Sequence, residues 1–463
     1  MTLHRSTRFA CTFALLCLPN AAGAQAFGLN EIGSCALARG FAGTGAPCED
    51  ASTIFWNPGS VPRTRGFSVL AGAAVIKIDG DFTRDTTFQR FDTEVPTAVV
   101  PHLFLNYRTA TRLALGLGVY VPYGLTSQWS DDFPGRFTAK KASLQTIYVQ
   151  PNVAFQITDN WSIGAGPVIG HSTVELIQGV DLSTIRTSAA ATAPTFGQLG
   201  IARRTEFARA TLKGSAMAYG VNAGFHGKIT PTWEMGGRFL SQLFFKYDDA
   251  DATFEQRATG LTLAANNPLQ APAGTPVDAL FTAQFASGGA LAPQKVKTQI
   301  MHPAQAQVGF GYTGFENTTV SLDYAWVGWK SFKELPVDFQ GGATDKVLFE
   351  SYNNTSSIRL GLERRLAGGA ALRAGLAAAA SAAPDVTVTP LLPEQDRSYG
   401  MLGGSLPLTR GFTIDAAYAH IFTPGRRGRL DERETLAQTA DQLNIGSYTL
   451  RANILSLSLK ASF

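Results

Sequence analysis

Arg112-Leu113-Ala114-Leu115-Gly116-Leu117-Gly118-Val119-Tyr120-Val121 alternates without a fault: every odd position is Leu or Val, and the even ones are Arg, Ala, Gly or Tyr. A period of two puts the apolar set on one face of a β-strand and the small or polar set on the other. Such a strand suits a wall with hydrocarbon outside and a polar lumen inside. The pattern returns in Phe412, Ile414, Ala416 and Tyr418 against Thr413, Asp415 and Ala417, and in Ile358, Leu360 and Leu362 against Arg359, Gly361 and Glu363. The chain closes on a further alternating run, Ser456-Leu457-Ser458-Leu459-Lys460-Ala461-Ser462, and a terminal Phe463.

Hydrocarbon offers the backbone no hydrogen bonds, so only helices or closed barrels span it. No apolar run outside the extreme N-terminus is long enough for a spanning helix. Read by alternation, residues 63–463 give an all-β, antiparallel transmembrane barrel of about fourteen strands. The strands fall near 67–79, 98–108, 111–122, 141–157, 161–178, 205–227, 232–247, 298–312, 318–330, 355–366, 369–380, 398–408, 411–422 and 449–463. Tight turns at 109–110, 158–160, 228–231, 313–317, 367–368 and 409–410 belong on the periplasmic side, with both termini. The long connections, notably 179–204 and 248–297 but also 331–354 and 381–397, should face outward.

Only 16% of the residues are charged and 47 are glycine, which suits a membrane wall better than a soluble surface. The leader (residues 1–24) carries Arg5 and Arg8, an apolar stretch from Phe9 to Leu18, and the small-residue site Ala22-Gly23-Ala24, the grammar of a secretory signal peptide. Its loss takes the formal charge from +4 to about +2, so nothing argues for nucleic acid. Cys35 and Cys48 then remain in a compartment that permits disulfides. Bridging is the favoured reading, closing a loop of about 14 residues and adding on the order of 3 kcal/mol; the alternative is two buried thiols.

Residues 25–62 do not alternate, yet they hold Phe27, Leu29, Phe41, Phe55 and Trp56. So many large apolar groups do not suit a solvated tail, and the segment is expected inside the barrel. The connection 248–297 carries Leu261, Leu263, Leu269, Leu280, Phe281, Phe285 and Leu291. Two compatible readings are open, a greasy landing site for ligand and an amphipathic helix packed on the rim.

The order Phe27-Gly28-Leu29-Asn30-Glu31, Leu37-Ala38-Arg39-Gly40-Phe41-Ala42-Gly43, Glu49-Asp50-Ala51 and Asn57-Pro58-Gly59 resembles the hatch of the FadL/TodX (OmpP1) family of outer-membrane transporters for long-chain fatty acids and hydrophobic compounds. Pro122-Tyr123-Gly124-Leu125 with Trp129 and Pro134-Gly135-Arg136, Pro151 to Phe155 with Trp161 to Gly166, and Asp396-Arg397 with Asp415 to His420 extend the likeness over nearly the whole mature chain. The resemblance implies a barrel plugged by an N-terminal hatch. Ligand would bind between apolar outer loops, pass to a pocket above the hatch and leave sideways through a kink in the third strand, without cofactor or energy input. Asn57 and Pro58 fall on the hatch's Asn-Pro-Ala motif, with Gly59 in place of Ala; Phe27 falls near the ligand pocket; Pro122, Tyr123 and Gly124 fall at the kink. Pro122 removes a ladder donor, a physical reason for a break there. The cysteine pair is not part of the family pattern.

By alternation Glu234, Arg238, Gln242 and Lys246 share the luminal face of one strand, opposite Leu243 and Phe245, and Asp323, Arg359, Glu363, Arg373 and Asp415 also point inward. An anion in a low-dielectric pocket needs a paired cation, so Arg238, Lys246, Arg359 and Arg373 are candidates for a fatty acid carboxylate, unless these charges pair with one another or with the hatch. Tyr107, Trp129, Tyr148, Trp161, Trp233, Tyr247, Trp326 and Trp329 fit interfacial girdles or the ligand path. The histidines form no metal-ligand spacing, no phosphate-binding loop or nucleophile elbow appears, and neither cofactor, metal nor catalytic residue is expected.

The expected function is passive transport of hydrophobic small molecules across the outer membrane, fatty acids first and aromatic hydrocarbons or other lipids as the alternative. A water-filled porin is disfavoured by the apolar content of 25–62 and 248–297. An outer-membrane lipid hydrolase would need a Ser-His pair in hydrogen-bond reach, with His171, His226 and His420 the histidines to inspect. The expected partners are the ligand, outer-membrane lipid and, through the strand ending at Phe463, the barrel-assembly machinery; the expected state is a monomer.

Overall fold

The computed structural model describes residues 26–463 apart from 65, 110, 188–191, 266, 268, 271, 410 and 432–436. The leader reading of residues 1–24 lies outside them. No helix among the described residues is long and apolar enough to cross a membrane. The chain forms a closed antiparallel barrel of fourteen wall strands. Phe67–Arg84 pairs with Ala98–Arg108 on one side and closes the cylinder on the last strand, Gly446–Ser462, on the other. Pairing the first strand with the last removes the two end edges that an open sheet would present to hydrocarbon.

The wall obeys the alternation of the sequence. Leu115 and Leu117 face outward, whereas Ala114 and Tyr120 are fully buried in the lumen. The third strand is not one run, however: it breaks into Leu113–Tyr120 and Gly124–Gln128. The seventh and eighth strands, read as unbroken, also break, into Trp233–Leu240 and Leu243–Gln256 and into Gln294–His302 and Gln305–Phe315. The last two breaks lie side by side, since Leu240 pairs with Gln305 and Leu243 with His302. Pro303, with no N–H to give the ladder, marks the level.

The lumen is filled by residues 26–64, nearly all of them buried. Two short helices, Ser34–Ala38 and Thr53–Trp56, are followed by a 3-10 turn, Pro58–Arg63. Glycines of the segment and of the wall let the two approach backbone to backbone. A Cβ on Gly45 would fall 2.2 Å from the nitrogen of Phe310, and one on Gly59 would fall 2.6 Å from the carbonyl oxygen of Gly224. Part of the glycine richness of the chain is therefore a packing requirement of this contact.

Candidate functional site

The break in the third strand opens the wall. Ala98–Arg108 pairs with the third strand only over Leu103 to Arg108, while Gly124–Gln128 pairs only with Lys141 to Gln145 of the next strand. Residues 98–102 thus have no ladder partner on that side. The inserted segment pairs instead with the broken third strand: the Gly124 N–H donates to the Phe27 carbonyl at 2.9 Å, the Leu29 N–H donates to the Pro122 carbonyl at 2.8 Å, and Gly28 bridges to Tyr123.

This register sets the Phe27 ring at the centre of an aromatic collar. Trp329 lies 4.7 Å away and Phe332 5.6 Å, both edge to face, and His302 lies 5.8 Å and Tyr123 6.0 Å away, both tilted. Tyr123 and His302 come from two of the broken strands, so the breaks carry the collar inward. Such ring pairs add about 0.5–1.5 kcal/mol each beyond area burial.

Two cavities meet at this level. The larger, about 650 Å³, is lined by Ala26, Leu29 and Glu31 of the inserted segment, by Val95 to Pro101 and by Gly124 to Ser127, and its lining includes the outward-facing Val99, Pro101 and Ile147. Its lining thus includes residues on both faces of the interrupted ladder. The smaller, about 80 Å³, is almost wholly apolar and is enclosed by Phe27, Leu125, Leu144, Ile300, Phe332 and Leu392 among others. Burial raises the Glu31 carboxyl above its ordinary range, against the Asn30 N–H that donates to it at 2.9 Å.

A sequence profile described as "Outer membrane protein transport protein (OMPP1/FadL/TodX)" matches residues 15–463. The chain belongs to this family. It is 24% identical to the long-chain fatty acid transport protein of Escherichia coli O6:H1 over 439 residues, covering 93% of this chain and 94% of the relative. The solved structure of a Pseudomonas aeruginosa FadL homologue is similar with a TM-score of 0.77 at 19% identity, covering 95% of this chain and 100% of that one. The Pseudomonas putida toluene transporter TodX is similar with a TM-score of 0.66 at 15% identity, with coverage of 95% and 100%. The protein is thus an outer-membrane transport barrel of the OMPP1/FadL/TodX family.

In this family member Asn57 knots the inserted segment to the wall. Its Nδ2 donates to the carbonyls of Thr44 and Phe225, both at 2.9 Å, and its Oδ1 accepts the Gly59 N–H at 3.1 Å. Pro58 opens the 3-10 turn at a position where a missing N–H costs nothing. Cys35 and Cys48 form a disulfide across the segment. Asp50 lies near both sulfurs, but the bridge leaves them unavailable as metal ligands.

The candidate cations separate by environment. Lys246 is not luminal: Leu243, Phe245 and Tyr247 are buried and Lys246 is exposed, because the excursion at Ser241 and Gln242 inverts the alternation of the strand. Arg373 is already paired, with Glu363 at 2.7 Å and Asp415 at 2.5 Å. Arg359 donates to Ser357, Phe41 and Asn30 at 3.2–3.5 Å. Arg238, 3% exposed, spends Nε on Asn222 and stacks 4.0 Å over the Phe55 ring, while its two terminal nitrogens have no partner. Sequence reasoning missed Arg397 and Glu394, which line the larger cavity. Arg397 sat within a run quoted only for its likeness, and Glu394 lay in a connection read as external.

The girdle reading divides likewise. Tyr107, Trp161 and Trp233 are exposed on the wall, whereas Trp129, Tyr148, Tyr247 and Trp329 are fully buried inside. The apolar residues of 248–297 form neither an open patch nor an amphipathic helix. Phe281 is 2% exposed in a small core with Leu182, Phe196 and Phe207, against which Leu261, Leu263 and Phe285 pack; among the described residues there, only two 3-10 turns, Val277–Leu280 and Thr282–Phe285, are helical.

A Ser-His contact does occur, at a histidine the sequence did not single out. His102 Nε2 lies 2.9 Å from Ser458 Oγ, but Ser458 Oγ also meets Ser34 Oγ at 2.7 Å. Both residues are 3% exposed between segment and wall, and neither lines either cavity. The hydroxyl is a packing link, not a nucleophile within a substrate's reach. Of the histidines named for inspection, His226 faces Arg63 and Glu234, and His420 faces Asn453.

Proposed function

We propose that this barrel carries hydrophobic small molecules passively, long-chain fatty acids first, with residues 25–62 acting as a hatch and the gap beside the third strand as the exit. The supporting observation is the cavity of about 650 Å³ that begins at Ala26 to Glu31 and ends among outward-facing Val99, Pro101 and Ile147. Its size lies in the range that buries a drug-sized ligand. Ligand gathered at the outer loops would occupy the apolar space above Phe27, shift the Phe27 collar and diffuse sideways into the membrane. Arg238 is the proposed carboxylate partner, since its terminal nitrogens are unspent; it lines neither cavity, so a carboxylate would reach it only after the inserted segment shifts.

The names of the relatives favour two cargoes, a fatty acid for the Escherichia coli protein and toluene for the Pseudomonas putida one. The small cavity with Phe27 and Phe332 in its lining supports the aromatic reading as the alternative. Uptake of labelled oleate and of toluene by cells lacking their own transporter decides between them, beside a variant with Asn57→Ala and Pro58→Ala. Oleate uptake lost in the variant supports a hatch-gated fatty acid route; toluene uptake alone moves the protein to aromatic cargo; uptake of neither refutes the reading.

A further inference from the structure

The connection expected outside at 381–397 runs over 380–396, between Ala371–Ala379 and Arg397–Thr409. Instead these residues fold into the barrel mouth: Ala382, Ala383 and Thr387 through Gln395 are buried. An unpaired backbone could not go there, and this one is paired. The Pro390 carbonyl accepts from Ser127 Oγ at 2.6 Å and Trp129 Nε1 at 3.1 Å, the Val388 carbonyl accepts from the Arg429 N–H, and Gln395 Nε2 donates to the Tyr448 carbonyl. The segment is therefore a built lid, tied to the outer half of the broken third strand.

Three of its residues touch everything that matters. Leu391 and Leu392 line the small apolar cavity, and Leu392 also lines the larger one. Two residues on, Glu394 is fully buried. One carboxylate oxygen accepts the N–H of Ala26, at the start of the inserted segment, and the other accepts from the Ala383 N–H at 2.6 Å and Ser381 Oγ at 3.2 Å. Arg397 donates to the Ala26 carbonyl at 3.2 Å. A buried carboxylate given three donors holds what donates to it, because a buried donor left unpaired has lost its hydration without a replacement.

The rest of the inserted segment is fixed by other means. The disulfide, Asn57 and the pair of N–H groups on Thr44 and Gly45 that donate to Asp323 anchor residues 34–62. Residues 26–29 are held by Glu394, Arg397 and the two bridges to Pro122 and Gly124, while Asn30 accepts from Arg359 and the Ile32 carbonyl accepts from Trp56 Nε1 at 2.8 Å, so the hinge between lip and base falls at 30–33.

We infer that Glu394 is a positioning residue for transport: it latches the first residues of the inserted segment to the 380–396 lid, so that ligand displacing Leu391 and Leu392 from the small cavity frees Ala26 and opens the way to the larger one. The inference rests on the transport reading above. It makes the lid and the lip at 26–29 one moving unit, hinged at 30–33, with 34–62 as a stationary base.

Hydrogen exchange on the purified wild-type barrel tests this without a variant. Adding oleate, or toluene if that is the cargo, should speed exchange of 26–33 and 380–396 together while 34–62 stays slow; a response in only one of the two, or in neither, overturns the coupling. The variants E394A and E394Q, checked for the heat-modifiable band of a folded barrel, then report on Glu394 itself. E394A should raise exchange over 26–33 by about tenfold and lower the half-saturating cargo concentration by roughly threefold, since ligand no longer works against the latch. E394Q, which keeps an acceptor for Ala26, should fall between E394A and wild type. Wild-type kinetics in E394A, or equal loosening of 34–62, sinks the latch. A wild-type chain that carries neither cargo sinks the transport reading instead.

Discussion

The carbonyl of Phe27 accepts the backbone N–H of Gly124 at 2.9 Å, so the inserted segment occupies the ladder position that the wall vacates where its third strand breaks. Segment and wall are thereby joined through main-chain atoms. The contact leaves little room, because a Cβ on Gly124 would fall 2.9 Å from Leu29 Cδ1, the far end of a flexible side chain. Gly124→Val should push Leu29 away and weaken the bridge by about 1–3 kcal/mol. Faster hydrogen exchange over 26–33 with an intact barrel is the expected result.

Gly59 departs from the Ala of the motif it resembles, and the structure supplies the reason. A methyl there would meet the Gly224 carbonyl oxygen and Phe225 Cα, both at 2.6 Å, and neither backbone atom can yield cheaply. Gly59→Ala should therefore loosen residues 44–62, with a cost of about 1–3 kcal/mol. Limited proteolysis of the folded barrel would show it as cleavage within that segment.

Arg238 is a buried cation with unspent terminal nitrogens, so its removal should not harm the fold. Arg238→Met keeps an apolar group over the Phe55 ring and loses the charge. Oleate affinity is expected to fall roughly tenfold, about 1.4 kcal/mol, with toluene affinity unchanged. Equal loss for both ligands would show that the residue shapes the site without binding a carboxylate.

Arg373 behaves oppositely. It bridges Glu363 and Asp415, and Arg373→Leu leaves buried Asp415 without its cation and Glu363 with only the half-exposed Arg365 at 3.4 Å. The expected destabilisation is about 3–5 kcal/mol, read as a lower urea midpoint, with partial recovery on adding Glu363→Gln.

The disulfide closes a short loop within one segment, so its effect should stay there. The double variant Cys35→Ser, Cys48→Ser is expected to lose on the order of 3 kcal/mol of local stability, seen as faster exchange over 34–48, with the barrel's own unfolding midpoint unmoved.

The barrel itself was legible in the chain, because a wall between lipid and lumen imposes the period of two on each strand separately, and Leu115, Leu117, Ile358 and Leu402 all face outward as alternation requires. Pro122 likewise announced the break in the third strand. Lys246 shows where that reading ends. Alternation is a rule about neighbours in one continuous strand, and the excursion at Ser241 and Gln242 resets it. The same limit hid the lid at 380–396, whose small and apolar residues read equally well as an outer loop. What fills a lumen is decided by contacts between segments hundreds of residues apart, such as Ala26 with Glu394 and Asn57 with Phe225. Local periodicity, which records only the two faces of one strand, carries no trace of them.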